Sequence, residues 1–255
     1  MITDKKILSR TDFGYVLKIP YADNIICGFS TRKFNYDFRA GFSQRDHQEV
    51  LRNRENLFES LNINLRNSVF LEQVHKARIK KITRSDLGKG AYDYKNSLPA
   101  TDAAITELKS TALCLLSADC IPLIFWHPQK DIIGIAHAGW RGLKAGIAFK
   151  TAQKISLIYK CSPGGIKVFI GPCIRACCYE VNSDFKQYFP NYVHKSKDSF
   201  YLDLLKITFS QLSDAGIKGG NIIDSALCTK CNISDFFSFR GQDQKKRMLS
   251  FVALK

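Results

Sequence analysis

The sequence predicts a mixed α/β (α+β) fold, a single domain over residues 1–255 with central mixed β-sheets flanked by helices. Short, dense apolar runs alternate along the chain with stretches of helical periodicity, the pattern of sheets covered by helices. A length of 255 residues is ample for one large buried core. No internal repeat, low-complexity tract or compositional break divides it.

Residues 14–30 read as short strands, with Ile25-Ile26-Cys27-Gly28-Phe29 the clearest. A helix is expected over 46–61, where Val50, Leu51, Leu57, Phe58 and Leu61 recur near helical spacing. Val69-Phe70-Leu71 is a short strand leading to His75. Residues 84–100 mix Gly, Asp, Tyr, Lys, Asn and Pro without periodicity and read as a mobile loop. Two dense apolar runs, 111–124 and 131–136, read as buried strands. The span 143–159 reads as one helix, and Val168-Phe169-Ile170 as a strand stopped by Gly171-Pro172. An amphipathic helix over 203–215 is closed by Gly216, and a last strand covers 248–254.

Hydrophobic residues at 45% and charged residues at 24% place the chain with globular proteins, and no apolar run approaches the ~20 residues that span a bilayer. The opening residues, Met1-Ile2-Thr3-Asp4-Lys5-Lys6, carry no apolar leader segment, so the expected address is cytoplasmic and no membrane partner is expected. Nine cysteines are then expected to be thiols or metal ligands rather than disulfides. The net charge of +15 raises a nucleic-acid reading, but the basic residues are dispersed and no nucleic-acid-binding motif accompanies them. Attraction of anionic small molecules explains the charge as well.

Three residues carry the sharpest chemical signal. His75 and His137 end apolar segments, where a strand delivers a side chain to a pocket rim, and Cys120 directly follows a buried run. A thiolate and two imidazoles suit zinc, with copper the alternative, and leave a fourth coordination position open. Spacing alone leaves the plain reading open too: hydrogen-bonded histidines and a buried thiol.

Five segments resemble, in matching order, those of the YfiH family of laccase-like proteins, once described as polyphenol oxidases. They are Leu71-Glu72-Gln73-Val74-His75, Thr101-Asp102-Ala103-Ala104-Ile105-Thr106, Ser117-Ala118-Asp119-Cys120-Ile121-Pro122, Ala136-His137-Ala138-Gly139-Trp140-Arg141-Gly142, and Gly171-Pro172-Cys173-Ile174 with Cys178-Tyr179-Glu180-Val181. The resemblance implies a layered mixed-sheet architecture and a catalytic metal at His75, Cys120 and His137. It also implies phosphorolysis of adenosine, inosine and methylthioadenosine, with adenosine deamination. Copper-dependent oxidation of phenols is the older attribution. The chain departs from the family where Lys33-Phe34-Asn35-Tyr36-Asp37 follows Ser30-Thr31-Arg32, and where Lys245-Lys246-Arg247 replaces a Thr-Gly-Arg segment.

These activities assign roles to further residues. Asp119 is a candidate for proton transfer or for orienting the site from behind Cys120. Arg141, four residues past His137, is the first candidate for bidentate phosphate binding, followed by Arg32, Arg45 and Arg240. Gln73 lies on the His75 face if the strand continues, and suits reading a purine edge. Trp140 is a candidate stacking platform. Cys228 with Cys231, and Cys173 with Cys177 and Cys178, are pieces of a structural Cys₄ zinc site. They lie about fifty residues apart, however, and adjacent cysteines are not a standard knuckle, so free or buried thiols are expected.

Three competing classes remain in view. A copper oxidase needs a cluster of many imidazoles, and the chain has five histidines in all. A cysteine hydrolase needs only Cys120 as nucleophile and His137 as base. A basic nucleic-acid-binding module predicts salt-dependent binding without turnover.

Overall fold

The computed structural model describes residues 8–17, 24–37 and 44–255. The first residues, on which the expectation about a leader segment rests, lie outside that set, as do 18–23 of the expected early strands.

The chain runs β1 (Leu8–Arg10), β2 (Gly14–Leu17), β3 (Ile25–Ser30), α1 (Gln44–Ser60), β4 (Ser68–Phe70), β5 (Ile79–Lys81) and β6 (Ala103–Thr106). It continues through β7 (Thr111–Ser117), β8 (Ile121–His127), β9 (Ile132–Ala138), α2 (Trp140–Lys144), α3 (Ile147–Tyr159) and β10 (Lys167–Ile170). The last part holds β11 (Glu180–Val181), α4 (Phe185–Tyr188), β12 (Val193–Ser196), β13 (Ser199–Leu202), α5 (Leu204–Asp214), β14 (Ile222–Asp224) and β15 (Met248–Leu254).

One six-stranded sheet has the order β1-β2-β3-β15-β7-β4, a second the order β14-β10-β8-β9-β6-β5, and β11-β13-β12 form a small third sheet. The two large sheets pack face to face. Leu113 and Leu115 of β7, Val252 of β15, Ile124 and Trp126 of β8 and Ile133 and Ile135 of β9 share one apolar cluster between them. Alternate residues point the other way. Ala112, Cys114 and Leu116 of β7 pack with Leu57 and Phe58 of α1. Ile121, Leu123 and Phe125 of β8 pack with α3 and α5 through Ala152, Ile155 and Leu212. The result is four layers, helix, sheet, sheet, helices, which accords with the expected mixed α/β fold of central sheets and outer helices. Covering both faces explains why β7, β8 and β9 are buried along their whole lengths and read as unbroken apolar runs.

Four expectations change. The run 111–124 is not one strand: β7 belongs to the first sheet and β8 to the second, and the chain crosses between them at Ala118-Asp119-Cys120. Asp119 makes that crossing with φ 87, left-handed backbone that an aspartate tolerates better than most residues. The helix expected over 143–159 is two helices, broken where Gly146 takes φ 79. Val69-Phe70-Leu71 does not continue as a strand to His75; β4 ends at Phe70 and Leu71 makes only an isolated bridge to Leu98. Residues 84–100 are irregular yet packed, with Ala91 and Leu98 buried and the buried Arg54 guanidinium donating to the carbonyls of Gly90 and Ala91 at 2.6 and 2.9 Å. The amphipathic helix near 203–215 forms as α5. The Asp203 carboxylate accepts from the Lys206 N–H at its start, and Gly216 takes φ 88 at its end.

Candidate metal centre

Three separate pieces of chain converge at one end of the sheet pair. His75 lies in the loop after β4, Cys120 at the crossing between sheets, and His137 near the end of β9, where its backbone pairs with Pro122. One ligand atom from each lies within 4.8 Å of the other two. The imidazole rings of His75 and His137 meet edge-on, centroids 4.7 Å apart. The cluster is open on one side: His137 is buried, Cys120 partly exposed and His75 exposed.

Asp102 organises this arrangement, and sequence reasoning gave it no role. It sits just before β6 and is completely buried. One carboxylate oxygen accepts from the His75 N–H at 2.9 Å and lies 3.1 Å from His137 Nδ1; the other accepts from the Lys76 N–H at 2.8 Å. His75 has φ 58, and the bonds from its own and its neighbour's N–H hold it in that conformation. With Nδ1 turned to Asp102, His137 presents Nε2 to the cluster, the orienting role that a carboxylate plays behind a ligating imidazole. Its signal was available, since Asp102 stands within the Thr101–Thr106 motif.

The charges are coupled. Burial works against ionising the Cys120 thiol, but the imidazoles of His137 and His75 outweigh it and bring the thiol down to about 6. Burial likewise opposes the His137 cation, yet the Cys120 thiolate and the Asp102 carboxylate raise it to about 9. Burial also opposes the charge on Asp102, and the bonds from His137, Lys76 and His75 hold its carboxyl below the ordinary value. A thiolate sulfur thus stands ready as a donor, and His137 becomes one on giving up its proton. Gly139 makes room for the cluster: a Cβ there would lie 2.8 Å from Cys120 Sγ and 3.4 Å from His75 Cδ2.

The cluster forms the floor of a cavity of about 380 Å³. Its walls include Trp140, Tyr179 and Phe239 as apolar surfaces and Arg141, Arg240 and Arg247 as cations. A family described as multi-copper polyphenol oxidoreductase laccase matches residues 26–255. The chain belongs to that family. Similar proteins include the purine nucleoside phosphorylase YlmD of Bacillus subtilis, 34% identical over 91% of this chain and 89% of the relative. The YlmD of Geobacillus stearothermophilus, under the same enzyme name, is 36% identical over 81% and 79%. Among solved structures, the hypothetical protein YfiH of Bacillus licheniformis superposes with a TM-score of 0.90 at 31% identity, covering 97% of this chain and 99% of that one.

Within this family member the remaining predicted residues divide. Arg141 lines the cavity with its guanidinium 4.3 Å above the Trp140 ring. Arg240 lines it too, donating to the Glu180 carbonyl at 2.7 Å and lying over the Tyr179 ring. Arg32 is elsewhere, in a cleft with Arg10 and Asp235, and bonded to the Ile233 carbonyl and to Asp243. Arg45 lies exposed in the first turn of α1 and is not among the cavity's lining residues. Gln73 borders the cavity, but its amide both donates to and accepts from the Leu116 backbone, at 2.7 and 2.9 Å. Asp119 has both oxygens engaged, by the Thr229 hydroxyl at 2.6 Å and the Arg240 N–H at 2.7 Å. Those bonds suit the orienting role among the two expected for it. Arg247, from the divergent 245–247 segment, does reach the cavity and had no assigned role.

Proposed function

We propose that residues 1–255 form one catalytic domain, a metal-dependent purine nucleoside phosphorylase acting on adenosine, inosine and methylthioadenosine, with adenosine deamination as a second activity, and that it works in the cytoplasm. The observation that carries the reading is the convergence of three arginines on the cavity whose floor is the His75–Cys120–His137 cluster. The names of the relatives point the same way. Among the described residues, no helix is long and apolar enough to cross a membrane.

The donor set fits a single ion. Zn–N of about 2.0–2.1 Å and Zn–S of about 2.3 Å put tetrahedral donors about 3.3–3.6 Å apart, compatible with three atoms within 4.8 Å. Zinc is the proposed metal and copper the alternative. When bound, the ion supplies Lewis acidity at an open fourth position.

The chain's own residues do the rest. Arg141 and Arg240 bind phosphate through guanidinium N–H donors and hold it for attack on C1′ of the ribose, while Arg247, its guanidinium held by the carbonyls of Asp243, Gln244 and Lys246, adds positive charge to the cavity wall. The C1′–N bond breaks, positive charge develops on the sugar, and the purine leaves with the bonding electrons. Trp140, Tyr179 and Phe239 give the base and sugar a partly dry bed. Asp119 acts as a positioning residue: it ties Thr229 and Arg240 to the crossing that carries Cys120.

One observation favours a second reading. Asp102, His137 and Cys120 form a linked carboxylate–imidazole–thiol series, the arrangement of a cysteine hydrolase. A copper oxidase has less support, because the candidate ion sites among the described residues contain only two of the five histidines.

The test is base release from adenosine with and without phosphate, before and after metal removal. Phosphate-dependent release, lost with the metal and restored on its return, is expected. Activity surviving complete metal removal refutes the reading, and activity kept in His75→Ala but lost in Cys120→Ala favours the hydrolase. Ammonia release without phosphate reads the deamination separately, and oxygen uptake with a phenol reads the oxidase.

A further inference from the structure

A second cluster lies away from the catalytic cavity. Cys177, Cys178, Cys228 and Cys231 come together from two segments, one after β10 and one after β14, with one sulfur from each within 4.8 Å of the others. The Cys177 sulfur is 3.8 Å from that of Cys178, 3.8 Å from that of Cys228 and 3.6 Å from that of Cys231; the Cys178 and Cys231 sulfurs are 3.4 Å apart. From these distances and the chemistry of the donors we propose that the four cysteines form a structural zinc site, distinct from the His75–Cys120–His137 cluster.

The distances carry the argument. A zinc ion bound by four thiolates at about 2.3 Å sets the sulfurs at tetrahedral corners, about 3.8 Å apart. The measured separations of 3.4–3.8 Å fall close to that edge, and none approaches the ~2.05 Å of a disulfide. All four cysteines are free thiols. Sulfur-only tetrahedral sets select zinc among common biological divalent ions, iron being the principal competitor. Cys177 and Cys231 are exposed, so the ion has an entry path.

The backbone around Cys228 favours its thiolate, while burial pushes the Cys177 and Cys178 thiols up. The backbone N–H groups of Cys231, Arg175 and Lys230 favour the charged form of Cys228. Cys228-Thr229-Lys230-Cys231 has the spacing of a C-x-x-C knuckle. The two segments are also fixed to each other independently of any ion. The Cys173 N–H donates to the Leu227 carbonyl at 3.2 Å and the Thr229 N–H to the Cys173 carbonyl at 3.0 Å. The Arg175 guanidinium forms two bonds to Asp224 at 2.6 and 2.8 Å, placing a cation beside Cys228.

The site's consequence is support of the catalytic cavity. Tyr179, a cavity wall, directly follows Cys178. Thr229, which donates to Asp119 at 2.6 Å, lies inside the knuckle. The ion would thus clamp two segments beside Asp119, the neighbour of Cys120, without touching substrate.

The test is metal content and coordination of the purified full chain. Wild-type protein is expected to hold two zinc ions per chain. The His75→Ala/His137→Ala double variant is expected to keep one, with X-ray absorption at the zinc edge showing four sulfurs at about 2.3 Å. Cys177→Ser/Cys231→Ser is expected to lose one ion while the other remains. The histidine variant leaves the four cysteines untouched, so it decides the matter even if the cysteine variant fails to fold. The proposal is overturned if the folded histidine variant binds no zinc, if its ion is bound mainly by nitrogen or oxygen, or if peptide mapping without reductant finds a disulfide among the four. Because the two sites are read in different variants, loss of one assignment leaves the other standing.

Discussion

Replacing Asp102 by Asn removes one charge and one acceptor from behind the metal cluster with almost no change of shape. The carboxylate is fully buried and accepts from the N–H groups of His75 and Lys76 at 2.9 and 2.8 Å, with His137 Nδ1 at 3.1 Å. An asparagine can place its oxygen where His75 and His137 donate, but its NH₂ then faces the Lys76 N–H, donor against donor. Turned the other way, it opposes His75 and His137 together. A hydrogen bond to a charged group is worth about 1.5–3 kcal/mol. Loss of the carboxylate behind a ligating histidine weakens metal binding by about 10–100-fold, or about 1.4–2.7 kcal/mol. The assay is competition for zinc between the protein and a chromogenic chelator at neutral pH, with the melting temperature of the metal-free protein followed in parallel. Asp102→Asn is expected to lose affinity beyond what reduced folding stability explains. Zinc affinity within twofold of wild type would refute the assignment of Asp102 as the residue that orients His75 and His137.

Three further outcomes are expected. Gly139→Ala places a Cβ 2.8 Å from Cys120 Sγ, an overpacking cost of about 1–3 kcal/mol. That variant is expected to fold and lose the metal at the catalytic cluster; full metal content by elemental analysis would contradict it. Arg141→Ala is expected to raise the KM for phosphate about 10–100-fold with metal content unchanged, the cost of one charged hydrogen-bond donor pair; an unaltered KM removes Arg141 from the phosphate site. Metal affinity at the cluster is expected to rise with pH. His137, raised to about 9, must lose its proton to ligate, so one proton leaves the Cys120–His137 pair per ion between about 6 and about 9. Below about 6 Cys120 is protonated as well and the dependence steepens. Calorimetric titration in buffers of different ionisation enthalpy counts those protons, and a count independent of pH would contradict the coupled pair.

What could be read without coordinates was local. The strands around β7 to β9 announced themselves because both faces are covered, and α5 because its apolar stripe lies between Asp203 and Gly216. His75, Cys120 and His137 were legible through the short motifs that hold them, since the residues adjacent in sequence, such as Gly139, shape the same few ångströms. The same burial hid sheet membership: an apolar run covered on both faces looks identical whichever sheet it joins, so the crossing at Asp119 went unread. Gln73 and Asp119 were recognised as residues near the site, but only their partners, the Leu116 backbone, Thr229 and Arg240, show what their polar atoms are engaged in.

The sequence by itself determined the layered α/β class and the family, and through the family's short motifs it pointed to the three candidate donors, because periodicity and motifs are carried by residues close together along the chain. The tertiary structure alone decided that Asp102 stands behind two of those donors, that Arg141, Arg240 and Arg247 share their cavity while Arg32 and Arg45 do not, and that four cysteines from distant segments meet. These are relations across space between residues tens of positions apart, and spacing along a chain carries no measure of them.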